Sequence, residues 1–264
     1  MTQHERAPAP TTPPPIAPVQ HAQHGGKPQL NYTPLERLKV ARPVDRIEFI
    51  ARACEGFRVL DLGAMDETAW AAKRGRGTWL HEEIGGSARA VDGIDHSALV
   101  PAEGLRTGPN SSIRRGDITD PDLLVAALAH APDVVVIGEL IEHLENPLQF
   151  LKRLAAIEKL AGRTLILSTP NATALHNVVV GLARRESTHQ DHLCIFSYKT
   201  LATLCRRAGF CEWEIIPYYA RFTEMQERHS GVPRLAVRAT QRLVNLFEWL
   251  FPLLSFGYIV RIRL

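Results

Sequence analysis

Short apolar runs alternate with amphipathic stretches through most of this 264-residue chain. "FRVLDLG" (57–63), "ARAVDGID" (88–95) and "PDVVVIGE" (132–139) are compact runs of the kind buried on both faces of a parallel sheet. "RTLILSTPN" (163–171) belongs with them, and "SSIRRGDI" (111–118) is a weaker fifth. Helical periodicity fills the gaps near 121–130, 146–160 and 198–208, with Ser197 placed as the N-cap of the last. "CEWEIIPYY" (211–219) and "FGYIVRIR" (256–263) come late and read as strands added at one edge. The alternation predicts an α/β fold, a doubly wound and mostly parallel sheet with helices on both faces.

Upstream, "RPVDRIEFIARACEG" predicts a helix from Pro43 to a stop at Gly56. Thr33-Pro34 followed by Glu36 is a capping box with proline at the first helical position, and predicts another start. Residues 1–30 hold seven of the eighteen prolines and almost no large apolar side chains. Such a segment cannot offset its ordering entropy and reads as a disordered tail. A single domain is expected over 31–264, with an amphipathic helical insertion at 220–252 before the last strand.

Composition narrows the class. Hydrophobic residues make up 45% and charged residues 22%, the balance of a globular protein. The net charge is only +3, yet residues 221–264 carry seven Arg against three Glu, so the middle of the chain is slightly acidic. The basic excess is a property of the C-terminal surface. Four cysteines without a CxxC pair point to reduced thiols and a cytoplasmic setting. No apolar run approaches the roughly 20 residues of a spanning helix, and no signal-peptide core is present.

In a doubly wound sheet, ligands sit at the carboxyl ends of the strands where the strand order reverses. The first strand ends at Asp61-Leu62-Gly63, and Gly63 would admit a ligand close to the backbone. Asp66 and Glu67 follow where further glycines often stand. They would repel a pyrophosphate and tolerate a positively charged, phosphate-free cofactor, which favours a sulfonium nucleoside. Asp95, at the end of the second strand, suits a bidentate grip on two ribose hydroxyls, while Asp92 faces the other way. Asp117 follows the third strand, where a carboxylate can accept from an adenine amino group.

These stretches, with "ELIEHLENP", "STPN" and "DHLCIFSYKTLATLCRRAGF", resemble class I S-adenosylmethionine-dependent methyltransferases over about residues 57–210. The branch resembled contains ubiquinone-type O-methyltransferases and glycan- or natural-product-modifying relatives. The resemblance implies a Rossmann-like fold and S-adenosyl-L-methionine contacts at Asp61, Gly63, Asp95, Asp117 and Ile118, with Glu139 near the methionine end. One departure stands out: the usual Gly-x-Gly is here Gly63-Ala64-Met65-Asp66. Cofactor binding is still expected, because the ribose and adenine acids are retained; a scaffold that has lost catalysis is the alternative.

Glu139, Glu142 and His143 stand at i, i+3 and i+4, a spacing that lets all three share one side of a helical turn. Some relatives, small-RNA terminal 2′-O-methyltransferases among them, use this pattern with a later His to hold a divalent cation. Here the later ligand would be His192. The plainer reading is that Glu142 and His143 make hydrogen bonds that hold this loop against the cofactor. His143 and His192 are also the general-base candidates, since an ordinary imidazole titrates near neutrality. The expected reaction is methyl transfer to a hydroxyl of a small molecule, sugar or lipid-linked intermediate. Nucleic acid is the less expected partner, because the middle of the chain lacks an arginine-rich tract.

"RLAVRATQRLVNLFEWLF" (234–251) is two-faced, with Arg234, Arg238, Gln241, Arg242, Asn245 and Glu248 on one side and mostly apolar residues elsewhere. Its default reading is an apolar face packed on its own core. Peripheral contact with a membrane, arginines toward anionic headgroups, is the alternative.

Overall fold

The computed structural model describes residues 35–264 apart from 68–69, 129–130 and 229. The tail at 1–30 and the Thr33-Pro34 cap lie outside the described residues. Residues 36–43 carry no helix, so the start expected there does not continue into the described chain. Lys39–Leu264 form one compact unit.

Eight strands make one sheet: β1 (Arg58–Leu62), β2 (Ala90–Asp95), β3 (Leu105–Arg106), β4 (Ser111–Arg115), β5 (Val134–Gly138), β6 (Thr164–Pro170), β7 (Glu212–Tyr218) and β8 (Gly257–Arg263). Their order is β3-β4-β2-β1-β5-β6-β8-β7. The five strands from β4 to β6 are parallel, and the order reverses at β1, which pairs with β2 on one side and β5 on the other. That reversal is the switch point at which such sheets open a crevice for ligands. β8 runs antiparallel between β6 and β7, so the late strands do sit at one edge. Tyr258, Ile259 and Val260 are fully buried, which suits β8 to an interior place. The two-residue β3 pairs antiparallel with β4 and was not expected from its sequence.

Nine helices surround the sheet among the described residues: α1 (Arg46–Ala53), α2 (Trp70–Lys73), α3 (Leu80–Ser87), α4 (Pro121–Ala127), α5 (Pro147–Ala155), α6 (Leu175–Leu182), α7 (Tyr198–Ala208), α8 (Thr223–Arg228) and α9 (Gly231–Leu250). Strand parity assigns the layers. Leu60, Leu62, Val135, Ile137, Leu165 and Leu167 pack against Leu124 of α4, Leu151 and Leu154 of α5, and Leu201 and Cys205 of α7. The alternate residues Val59, Val134, Val136 and Ile166 face Ile50 of α1 and Ile84 of α3. Both faces are therefore covered, as the continuous apolar runs require.

Helix ends follow local chemistry. Asp45 caps α1 by accepting from the Glu48 amide, later than the expected start at Pro43, because Val44 is still extended and bridges to Tyr218. Ser197 and Thr200 form a reciprocal capping box on α7, and Gly209 closes it at φ 94°. The helix expected over 146–160 ends at Ala155 and resumes as a single 3₁₀ turn at Glu158–Leu160.

The insertion at 220–252 is helical, but α9 docks the opposite way from its default reading. Gln241, Asn245 and Glu248 face inward beside the half-buried Val237 and Val244, while Arg234, Arg238 and Arg242 stay exposed. The Glu248 carboxylate accepts from the Ala220 amide at 3.1 and 3.3 Å, and Gln241 donates to the Ala220 carbonyl and accepts from the Phe222 amide, both at 2.6 Å. Leu235, Leu243, Leu246 and Leu250 are left exposed. The irregular chain at 220–222 has backbone groups that a β ladder no longer serves, and only the polar side of α9 can satisfy them.

Candidate functional site

The site lies at the carboxyl ends of β1, β2, β4, β5 and β6. β1 runs into Gly63, whose φ is 76°. A Cβ built there would lie 2.9 Å from the flexible end of Leu140, which can shift, so it is the positive φ that calls for glycine. Ala64 and Met65 then turn inward and are buried.

Asp95 ends β2 with 5% of its surface exposed. One carboxylate oxygen accepts from the Met65 amide and the other from the Ser97 amide, each at 2.8 Å. Burial raises its pKa against the pull of those two N–H groups. A carboxylate offers about four lone-pair sites, so two remain for ribose hydroxyls. Next along the edge, the Gly116 amide donates to the Asp95 carbonyl and leads to Asp117 and Ile118. Asp117 is exposed; its Oδ1 accepts from the Thr119 amide and hydroxyl, which together lower its pKa. Ile118 is buried. Sequence placed these groups at neighbouring strand ends, and the sheet keeps them there. They fit an adenosine.

Asp61 differs. It is 2% exposed, and its Oδ2 lies 2.9 Å from His81 Nδ1, with His81 Nε2 a further 2.9 Å from the Thr107 hydroxyl. The carboxylate expected at the cofactor is spent inside the protein, tying α3 to β1. His81 belongs to a stretch with little pattern, and nothing in its sequence marked it.

Beyond β5 the chain turns sharply. Glu139 adopts φ 54°, rare for a side chain of this size, while its amide extends the β5–β6 ladder to the Ser168 carbonyl. The turn directs the Glu139 side chain to Tyr218 and Arg46. Its Oε1 accepts from the Tyr218 hydroxyl at 2.9 Å and stands 3.9 Å from Arg46 Nη1. Burial and that carboxylate push the Tyr218 pKa well up, so the phenol stays a donor. Arg46 also donates to the Ser168 hydroxyl at 3.2 Å. Arg46 and Tyr218 were not singled out in the sequence; one is the first residue of α1 and the other ends an edge strand, and only folding brings them to β5.

A single 3₁₀ turn, Ile141–His143, presents Glu142 and His143. The Glu142 carbonyl accepts from the amides of Leu193 and Cys194 at 2.8 and 3.1 Å, which draws the distant His192 segment onto this turn. The His143 and His192 rings stand edge to face, centroids 4.6 Å apart, with His189 5.6 Å from His192. Ligand atoms of Glu142, His143 and His192 all lie within 4.8 Å of one another. Glu139, the fourth ligand expected from the spacing, is not brought into this group.

Glu142 is completely buried. Thr169 donates to its Oε2 at 2.9 Å, while Oε1 has no partner; His192 Nδ1 is also buried without one. Burial, with Glu139 next in weight, pushes the Glu142 pKa up to about 8. Burial likewise lowers the pKa of His143 and His192, so both rings are neutral near pH 7. Two unpartnered buried acceptors and a neutral imidazole are a donor set that suits a divalent cation. His176 lies elsewhere, stacked on Phe256 at 4.8 Å.

With this geometry in place, comparison with known proteins fixes the class. The sequence model of the family described as a methyltransferase domain matches residues 35–214, and the chain belongs to that family. It is an S-adenosylmethionine-dependent methyltransferase of class I fold. No curated protein matches its sequence. Among solved structures it is similar to the small RNA methyltransferase HEN1, at 15% identity and a TM-score of 0.51 over 88% of this chain and 27% of that one. It is similar also to a methyltransferase of Thermotoga maritima, described as a possible histamine N-methyltransferase, at 14% identity and a TM-score of 0.50 over 82% and 86%. An S-adenosylmethionine-dependent methyltransferase of Archaeoglobus fulgidus aligns at 15% identity and 0.46 over 83% and 94%. At these identities the likeness is one of fold.

Proposed function

We propose that the protein transfers the methyl group to a hydroxyl oxygen of a small molecule, sugar or lipid-linked acceptor held beside Glu142, His143 and His192. The observation that carries this reading is the pair of unpartnered buried atoms, Glu142 Oε1 and His192 Nδ1, at the carboxyl end of β5 next to the cofactor loop.

S-adenosylmethionine brings a methyl group on a positively charged sulfur, and the rest of the chemistry is alignment and removal of one proton. Asp95 would take the ribose hydroxyls on its two remaining lone-pair sites, and Asp117 and Ile118 the adenine. Gly63 and Leu140 would line the methionine portion, with Arg46 the cation nearest its carboxylate. Glu142, His143 and His192 would hold a divalent cation, which beside a hydroxyl lowers its pKa and steadies the developing alkoxide. His143 and His192, whose pKa values burial lowers, would accept the acceptor's proton only where no cation occupies their lone pairs; with the cation held, the proton would leave to solvent.

The same three residues support a second reading, transfer to the 2′-hydroxyl of an RNA end, since an RNA methyltransferase shares the fold. One experiment separates the readings. Purified protein is incubated with labelled S-adenosylmethionine and a cell extract, then the product is divided by organic extraction and by ribonuclease. Label in small or lipid-soluble product supports the first reading. Ribonuclease-sensitive label transfers the case to RNA, and its binding should then weaken steeply with salt. Absence of any transfer by protein that binds S-adenosylhomocysteine overturns both.

A further inference from the structure

An amphipathic helix ordinarily buries its apolar side and shows its charges to water. α9 turns its Gln241–Glu248 side, with half-buried Val237 and Val244, to the protein, and this leaves its leucine face in need of a partner. Gln241 and Glu248, one helical side, are committed to the backbone at 220–222. At 100° per residue, Val232, Leu235, Ala239, Leu243, Leu246 and Leu250 fall on the side opposite. Leu235, Leu243, Leu246 and Leu250 are exposed by half or more.

Charge borders this stripe on one edge only, and with one sign. Arg234, Arg238 and Arg242 recur every four residues beside it and are exposed. Trp249 stands on the same edge, with the Arg42 guanidinium 4.1 Å from its ring. The helix contains a single acidic residue, Glu248, and that one faces inward. The turn that follows, Pro252–Leu254, is tied to the start of α6: Asn171 donates to the Leu253 and Ser255 carbonyls, and Thr173 to Leu253. α6 in turn exposes Val178, Val179 and Leu182, with exposed Arg184 and Arg185 directly after it. Two elements fastened together thus repeat one chemistry, apolar with an arginine border.

We infer that the outer face of α9 docks on an anionic phospholipid surface, its leucines entering the acyl boundary and its arginines meeting headgroup phosphates. An exposed leucine stripe with a wholly cationic edge and an interfacial tryptophan is complementary to such a surface and to little else. The helix lies on the bilayer; no helix among the described residues is long and apolar enough to cross one. Docking is independent of the acceptor, so it stands or falls apart from the proposed reaction.

Vesicle flotation of the full-length protein tests this. Recovery with phosphatidylcholine vesicles should be low and should rise strongly when phosphatidylglycerol is included. Arg234→Gln/Arg238→Gln/Arg242→Gln should lower partitioning by on the order of 100-fold, from about fivefold per arginine near an anionic surface. Leu243→Glu/Leu246→Glu should abolish recovery while S-adenosylhomocysteine binding is retained, which certifies the fold. Recovery independent of lipid charge, or equal for wild type and both variants, overturns the inference. So does a lipid-free dimer in sedimentation velocity that the double leucine variant dissolves, because the face would then belong to a second copy of the chain.

Discussion

Thr169 donates its hydroxyl hydrogen to Glu142 Oε2 at 2.9 Å, and the other oxygen of that fully buried carboxyl group meets no partner. One hydrogen bond for a group with four acceptor positions is too little to hold a charge inside a protein. Without a cation the group therefore keeps its proton, and the pKa near 8 expresses this.

The first prediction concerns pH and metal removal. Between 4.5 and about 8 the folded protein retains a proton on Glu142 that the unfolded chain has lost. Stability from this group is thus complete below the unfolded pKa and is lost as pH rises through the folded one. Melting in a chelator should fall across that window for wild type more steeply than for Glu142→Gln. Added Mn²⁺ or Mg²⁺ should raise the wild-type midpoint at the upper end, by about 2.7 kcal/mol of stabilisation at 100-fold over its Kd. Parallel slopes for the two proteins would remove the assigned role of Glu142.

His143→Ala and His192→Ala should each reduce kcat by about 100-fold or more, the usual contribution of a positioned acid or base. S-adenosylhomocysteine affinity should stay within a few-fold of wild type, because neither ring is among the groups proposed to hold the adenosine. Loss of binding equal to the loss of rate would place these residues at the cofactor.

Asp95→Ala removes the acceptor for both the Met65 and Ser97 amides and the one proposed for the ribose. Calorimetry should show S-adenosylhomocysteine binding weakened at least tenfold, with stability lowered by about 1–3 kcal/mol for each amide left unpaired. Unchanged affinity would mean that the nucleoside lies elsewhere.

Asp61→Ala and His81→Ala should both destabilise, and the double variant should cost far less than the two together, since each group serves the other. Cofactor affinity of the folded Asp61→Ala protein should be nearly that of wild type. A large loss of affinity without loss of stability would restore Asp61 to the cofactor.

Gly63→Ala meets a positive φ, and its methyl group would stand 2.9 Å from the flexible end of Leu140, which can give way. The expected loss is about 1–2 kcal/mol from the backbone alone. Adding Leu140→Ala should recover only the contact, so denaturation of the single and double variants separates strain from crowding.

The framework was legible because it is written in short-range pattern. Apolar runs of a few residues, spaced by helical periodicity, located all the main strands of the sheet and the late pair at its edge. The placement of Asp95, Asp117 and Gly63 at or just after strand ends was legible for the same reason: a strand end is a sequence position. What the sequence missed is long-range. The contact of Asp61 with His81 was not legible because His81 stands in an unpatterned stretch. Glu139 was grouped with Glu142 because i and i+3 share a side in a helix, whereas the chain here turns through φ 54° before a 3₁₀ turn begins. Arg46 and Tyr218 join the site from opposite ends of the chain, a meeting that no local window records.

For α9 the division is sharpest. Sequence alone established that 234–251 is a helix with a polar side and an apolar side, since that follows from residue types at a period of 3.6. Which side would face the protein was decided by the unpaired backbone of Ala220 and Phe222, where amides and a carbonyl removed from water need hydrogen-bond partners that leucine cannot supply. Periodicity is carried by one segment, but hydrogen-bond demand belongs to whatever that segment folds against, and only the tertiary structure brings the two together.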